Sequence, residues 1–156
     1  MTIRFAETRD IPGMIELLKQ VGQVHHVIRP DLFRAGAQKY DQAALEALLK
    51  DPKRPILIAD MDGRVAGYAF CILQVTENDP VLCDRKVVYI DDLCVDEALR
   101  GKGIASALYE RVLEYAKELR CNAVTLNVWC GNDGAMKFYE KCGMKPQKIG
   151  METILC

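Results

Sequence analysis

Two neighbouring carboxylates and a basic, glycine-containing turn are the residues whose types and spacing could do chemistry here. In Arg100-Gly101-Lys102-Gly103-Ile104-Ala105, the two glycines let the backbone approach a ligand closely and take unusual dihedrals. An apolar period follows at Ile104, Ala107, Leu108, Val112 and Leu113, so the turn opens a helix. The unpaired N–H groups of that helix start converge on one spot, where the dipole favours an anion. Arg100 and Lys102 add positive charge, and together these features describe a phosphate site. It is neither a Walker loop, which needs GxxxxGK[ST], nor the GxGxxG dinucleotide fingerprint. The plainer reading is a glycine turn before a surface helix. Just upstream, Asp91 and Asp92 lie in the strand KVVYIDDLCV. A carboxylate there can take a proton from an attacking amine. On a regular strand the two point to opposite faces, so at most one of them looks into a cleft directly; the plainer reading has both capping or solvating a strand end.

A second segment changes the weight of the first. After the strand VTLNV come Asn132, Ala135, Phe138, Tyr139 and Gly143, spaced N-x-x-A-x-x-F-Y-x-x-x-G. With RGKGIA, this pattern resembles the GNAT superfamily of N-acetyltransferases. Arg100, Gly103 and Ala105 match that family's Arg/Gln-x-x-Gly-x-Gly/Ala pyrophosphate loop. The order of elements fits along nearly the whole chain, while residues 22–40 carry no family pattern. The resemblance implies that N–H groups from Gly101 to Ala105, Lys102 and Ile104 included, hold the pyrophosphate of acetyl-CoA. It implies a strand bulge around Leu93, Cys94 and Val95, whose backbone pairs with the pantetheine arm. Asn132 would hydrogen-bond the cofactor, Ala135 and Phe138 would pack near it, and Tyr139 would protonate the departing thiolate. YIDDL is similar to the YLEDL of diamine acetyltransferases, which sets Asp91 where a catalytic Glu stands. Asp92 stays open as the base, and Tyr139 as a packing residue.

The substrate side is less clearly written. The only histidines, His25 and His26, precede Arg29-Pro30-Asp31, in the region that lines the acceptor side in the family. His26, Arg29, Asp31 and Tyr40 are therefore candidate substrate contacts, against the plainer reading of a polar loop. Two adjacent His without a spaced partner make a poor metal site, and no metal is expected. Cys94 lacks an evident His partner for nucleophilic work.

These residues need elements to position them. Residues 2–7 alternate as a strand, Asp10 can cap a helix with Pro12 in its first turn, and Gly22 marks where that helix should stop. Asp41 caps a second helix ending before Pro52. Two apolar strands flank Asp62-Gly63, a hairpin signal. A strand over 86–95, a long helix over 103–119, a strand over 123–128, a short helix over 135–142 and weak strand material over 147–155 complete the order. The fold class expected is α/β of the α+β type: one mixed, mostly antiparallel sheet with helices on both faces.

Composition sets the outer limits. The 156 residues are 50% hydrophobic and 28% charged, which suits one globular domain spanning 1–156. Lys and Arg number 21 against 22 Asp and Glu, a formal charge of -1, which disfavours a nucleic-acid binder. No apolar run is long enough for a membrane span, and early acids argue against a signal peptide. The seven cysteines are odd in number, irregular in spacing and without CxxC, as expected of reduced thiols in the cytoplasm. The resulting expectation is acetyl-CoA-dependent transfer to a primary amine in a ternary complex, with a small cationic amine as acceptor. A ribosomal-protein-type N-terminus and a non-catalytic acyl-CoA-binding module are the alternatives. Dimerisation through the terminal strands is left open.

Overall fold

The computed structural model describes residues 1–156. The chain runs β1 (Thr2–Phe5), a single helical turn (Thr8–Asp10), α1 (Ile11–Ile28), α2 (Gln42–Leu48), β2 (Ile56–Met61), β3 (Arg64–Thr76) and β4 (Arg85–Val95). A second single turn (Glu97–Leu99), α3 (Ile104–Glu118), β5 (Ala123–Leu126) and α4 (Asp133–Lys141) follow. The five strands form one sheet in the order β1-β2-β3-β4-β5. The first three pairings are antiparallel, and β5 returns parallel to β4 after α3 crosses over. No helix is long and apolar enough to cross a membrane.

Strand alternation sends successive side chains to opposite faces, and each face has its own helices. Leu57, Ala59, Ala69, Val88 and Ile90 pack under Ile104, Leu108 and Val112 of α3. Ile56, Ile58, Tyr68 and Phe70 meet Met14, Leu17, Leu18 and Leu45 of α1 and α2 on the other face. Each fully buried Leu or Ile contributes about 1.5–3 kcal/mol. The mixed sheet with helices on both faces is as the sequence indicates.

Three local expectations are corrected. Gly22 does not end α1, which continues to Ile28. A Cβ on Gly22 would stand 2.3 Å from the Ala37 carbonyl oxygen, so the glycine lets the α1–α2 loop lie against the helix. Asp10 stands at the start of α1, with Pro12 in the first turn, but its side chain does not cap that helix. Its two oxygens accept from Arg4 at 2.8 and 2.9 Å, and one also accepts the Glu7 N–H at 2.7 Å. Arg4 reaches on to Asp60 at 2.9 Å, tying β1 to β2. Residues 147–155 form no strand. They add to no sheet edge and leave Ile149, Met151, Ile154 and Leu155 exposed; Glu152 fastens the segment to Arg29 at 2.6 Å.

Candidate active site

The phosphate loop is built as its residue types require. Gly101 and Gly103 take φ of 79° and 77°, a left-handed region that costs other residues roughly 1–2 kcal/mol. A Cβ at either would meet nothing within 4 Å, so dihedrals rather than space call for glycine here. None of the backbone N–H groups from Arg100 to Ser106 finds an acceptor within the chain, and the first helical bond runs from Ala107 to the Gly103 carbonyl at 3.1 Å. Ile104, 2% exposed, roots the helix start in the core. Ala105 is half-buried beside it, while Arg100 and Lys102 are exposed and pair with no carboxylate. A row of free donors at the dipole-positive end of a helix, flanked by two cations, fits a pyrophosphate.

β4 leads into that loop and carries the acids. Phe70 pairs with Asp92 but Cys71 with Ile90, which makes Asp91 the extra residue of a bulge. The break therefore falls at Asp91, not at Leu93–Val95 as expected, because the register with β3 resumes at Asp92. The β4–β5 ladder ends at Ile90–Leu126. From Asp91 to Val95 the strand pairs with β3 only, which leaves its other edge open to an extended partner such as a pantetheine arm. Leu93 packs toward the α3 side. Cys94 faces the other way, its thiol directed at the Leu17 carbonyl at 3.7 Å and pushed up to about 12, first by burial and then by the Asp92 charge. That thiol is no nucleophile.

The bulge also overturns the expectation that the two acids face apart. Both carboxylates lie on the α1–α2 face. Asp91 Oδ2 accepts from Lys39 Nζ at 2.7 Å and from the Tyr40 hydroxyl at 3.0 Å. Tyr40 stacks on Phe70 at 5.5 Å. Asp92 Oδ2 accepts from the Tyr68 hydroxyl at 2.6 Å, and Tyr68 is itself fully buried. Asp92 is partly open at its surface, yet enough protein crowds its carboxyl that burial pushes it up to about 6, against the pull of the Tyr68 bond and the Lys39 charge. Burial alone would lower the Lys39 ammonium, but the bond and charge of Asp91 outweigh it and hold it above its usual value.

Tyr139 stands on α4, its ring 6.3 Å from that of Tyr109 and 5.0 Å from that of Phe138. Burial raises its phenol above the usual range, and Asp92 is the first charge to add to the effect. Tyr139 packs against the α3-side core, and of the two acids it is Asp92 whose charge bears on the phenol. Asn132 caps α4 by accepting from the Ala135 N–H at 3.3 Å, a structural task beside the cofactor contact expected of it.

The remaining acceptor-side candidates are largely engaged with one another. Arg29 pairs with Asp31 through bonds of 2.9 and 2.7 Å and lies 5.9 Å over the Trp129 ring. Asp31 is thereby neutralised rather than added to the acidic pair. His26 Nδ1 is bonded to the Phe33 carbonyl at 2.7 Å, while His25 packs on Phe33 at 4.9 Å. These residues shape the loop after α1; Tyr40 alone of the four candidates reaches the carboxylates. Sequence reasoning missed Lys39 and Tyr68. Tyr68 reads as one more strand aromatic, and a lysine in a polar loop carries no local signal. A hollow of about 340 Å³ lies elsewhere, between β1, the α2–β2 loop and Tyr115. It holds Asp51 and Arg54 without a carboxylate pair, unlike the cleft at Asp91 and Asp92.

Residues 21–144 match the model of the acetyltransferase (GNAT) family. The chain belongs to the GNAT family. The L-amino acid N-acetyltransferase AaaT of Escherichia coli is 28% identical over 99% of this chain and 89% of its own length. An uncharacterized N-acetyltransferase of Methanocaldococcus jannaschii is 29% identical over 65% of this chain but only 44% of its own, and the chain spans about half the length of several such relatives. Among solved structures, a mutant of the BH1408 protein from Bacillus halodurans superposes with a TM-score of 0.95, at 34% identity and complete coverage of both chains. The aminoglycoside N-acetyltransferase AAC(6')-Iy, solved with CoA, reaches 0.72 at 17% identity, covering 99% of this chain and 100% of its own, and shares the GNAT fold.

Proposed function

We propose that this GNAT chain transfers the acetyl group of acetyl-CoA to the nitrogen of a small cationic amine, directly and in a ternary complex. The observation that carries the reading is the carboxylate pair, drawn to one face by the bulge, at the point where β4 opens away from β5. An ammonium, that of Lys39, is already bound there. A cationic acceptor would meet the same two acids.

Each residue then has a task. N–H groups of Arg100 to Ser106 bind the pyrophosphate, and the free edge of Asp91–Val95 aligns the pantetheine arm. Acetyl-CoA supplies an activated acyl group whose leaving group is a thiolate. Asp91 holds the incoming ammonium as a fixed counter-charge. Asp92, with a carboxyl near 6, is matched to take the amine's proton close to neutral pH. Tyr139, kept protonated by burial, returns a proton to sulfur. An N–H on the open β4 edge would stabilise the oxyanion.

An amino-acid acceptor is the second reading, favoured by the name of the Escherichia coli relative. Arg54 lines a cleft with Tyr40 and Asp91 and would have to hold the acceptor's carboxylate. Free-thiol release, measured with polyamines, aminoglycosides, amino acids and an Ala-ended peptide, decides between them. Turnover confined to amino acids would sink the cationic-amine reading, and turnover confined to the peptide would move the acceptor to a protein N-terminus.

A further inference from the structure

Lys39 is the one lysine of this chain whose ammonium meets a carboxylate of a distant element, whereas Lys86 reaches only the Leu119 carbonyl, at 3.1 Å. Lys19 pairs only with Glu16 of its own helix, at 3.4 Å, and no other lysine meets a carboxylate. The Lys39 stem leaves the α1–α2 loop about half exposed, 48% by side chain, yet its nitrogen ends on Asp91, which is 16% exposed. The placement is held from both sides. Tyr40, the next residue, donates to the same Asp91 oxygen and stacks on Phe70. Its carbonyl takes the Gln38 side-chain amide at 2.8 Å, and the Lys39 nitrogen lies 5.5 Å from the Tyr40 ring centre.

We propose that Lys39 is itself an acetyl acceptor, modified in cis by the site it occupies. The inference rests on the acetyltransferase reading and goes beyond it, because it assigns a modification site within the chain. A primary amine held against the acid pair, on the strand that opens to receive an acyl-pantetheine, is where an acceptor nitrogen must stand. The ammonium first gives one proton to the acid pair. The amine nitrogen then bonds to the thioester carbonyl carbon, the carbon–sulfur bond breaks, and its electron pair leaves on sulfur. Sulfur takes the phenol proton of Tyr139, and the second proton lost from nitrogen restores that phenol. The products are Nε-acetyl-Lys39, CoA thiol and one proton released to solvent. Acetyl-Lys39 is neutral, so Asp91 loses its internal counter-charge when the transfer is complete.

The test is incubation of the full chain with acetyl-CoA, followed by peptide mass spectrometry over time at several protein concentrations. Lys39 should gain one acetyl group on the order of a hundred-fold faster than exposed Lys50 and Lys148, at a rate independent of protein concentration, and Tyr139→Phe should remove most of that advantage. Equal labelling of all three lysines, or a rate that rises with protein concentration, overturns the proposal. Thermal unfolding with acetyl-CoA and thiol release beyond one equivalent per chain with added amines, both on the wild-type chain, separate the failures. If the shift and turnover are seen while Lys39 stays unlabelled, only this inference fails; if neither is seen, the acetyltransferase reading fails with it.

Discussion

Replacing Asp92 by Asn should make the protein more stable and less active at once, and the size of the first effect follows from the site. In an unfolded chain an aspartate titrates near 3.9, against about 6 in the fold, and at about 1.36 kcal/mol per pH unit the difference is worth roughly 3 kcal/mol. Because the folded value is raised, the group's favourable contribution is complete below pH about 4 and is lost as pH climbs through about 6. Asparagine keeps an oxygen for the Tyr68 hydroxyl, bonded at 2.6 Å, but never ionises. Discounting for the partial openness of the carboxyl, the variant should gain about 2 kcal/mol at pH 8 and nothing at pH 4. That is a rise in Tm of roughly 4–8 °C at the higher pH for a chain of this length. Subtracting wild type from variant cancels the carboxylates whose values are lowered, such as Asp60 and Asp96. Thermal or urea unfolding from pH 4 to 8 gives the stability, and thiol release should fall on the order of a hundred-fold. A stability difference that is flat in pH, or a variant less stable at pH 8, would refute both the burial argument and the choice of Asp92 as base.

Gly22→Ala should destabilise by about 1–3 kcal/mol in thermal unfolding, although alanine in a helix normally gains about 1 kcal/mol over glycine. The added methyl has to share space with the Ala37 carbonyl oxygen, 2.3 Å away, and a gain in Tm would show that the loop yields freely. Arg4→Met leaves Asp10, 4% exposed, with only the Glu7 N–H among its former partners. Loss of a buried pair's partner should cost about 3 kcal/mol by urea titration. Tyr139→Phe should lower kcat about a hundred-fold, with acetyl-CoA affinity by calorimetry nearly unchanged; an unchanged kcat would make Tyr139 a packing residue.

What could be read in advance was whatever local chemistry decides. The period of α3, the Asp41 cap that accepts from Ala44 and the Asp62-Gly63 turn are short-range facts, and they fall where residue types put them. The glycines of the phosphate loop belong with them, since their positive φ is a backbone demand met by one residue type. Apart from Asp10, whose carboxylate is taken by nearby Arg4 and Glu7, the misreadings involve partners distant in sequence. Gly22 reads as a stop signal until Ala37 is seen lying against it. The acids alternate in a sequence pattern, but the bulge at Asp91 is a property of the β3–β4 pairing. Lys39 enters the site only because the α1–α2 loop folds 52 positions back onto β4. The terminal segment has a strand-like composition yet pairs with neither outer strand of the sheet.

The sheet's spatial order is also its order of synthesis. Each of β2, β3 and β4 adds beside its predecessor, so no strand has to wait for a later one to slip between two already placed, although β2 meets β1 only after α1 and α2, and β5 meets β4 only after α3. The β2–β3 and β3–β4 loops close over short separations at a small entropic cost, and local connectivity of that kind favours rapid folding. The meander through Val95 already contains Tyr68, Asp91 and Asp92. On an emerging chain the acid end of the cleft is therefore laid down first, and the anion-binding turn, α3 and Tyr139 are assembled onto it afterwards.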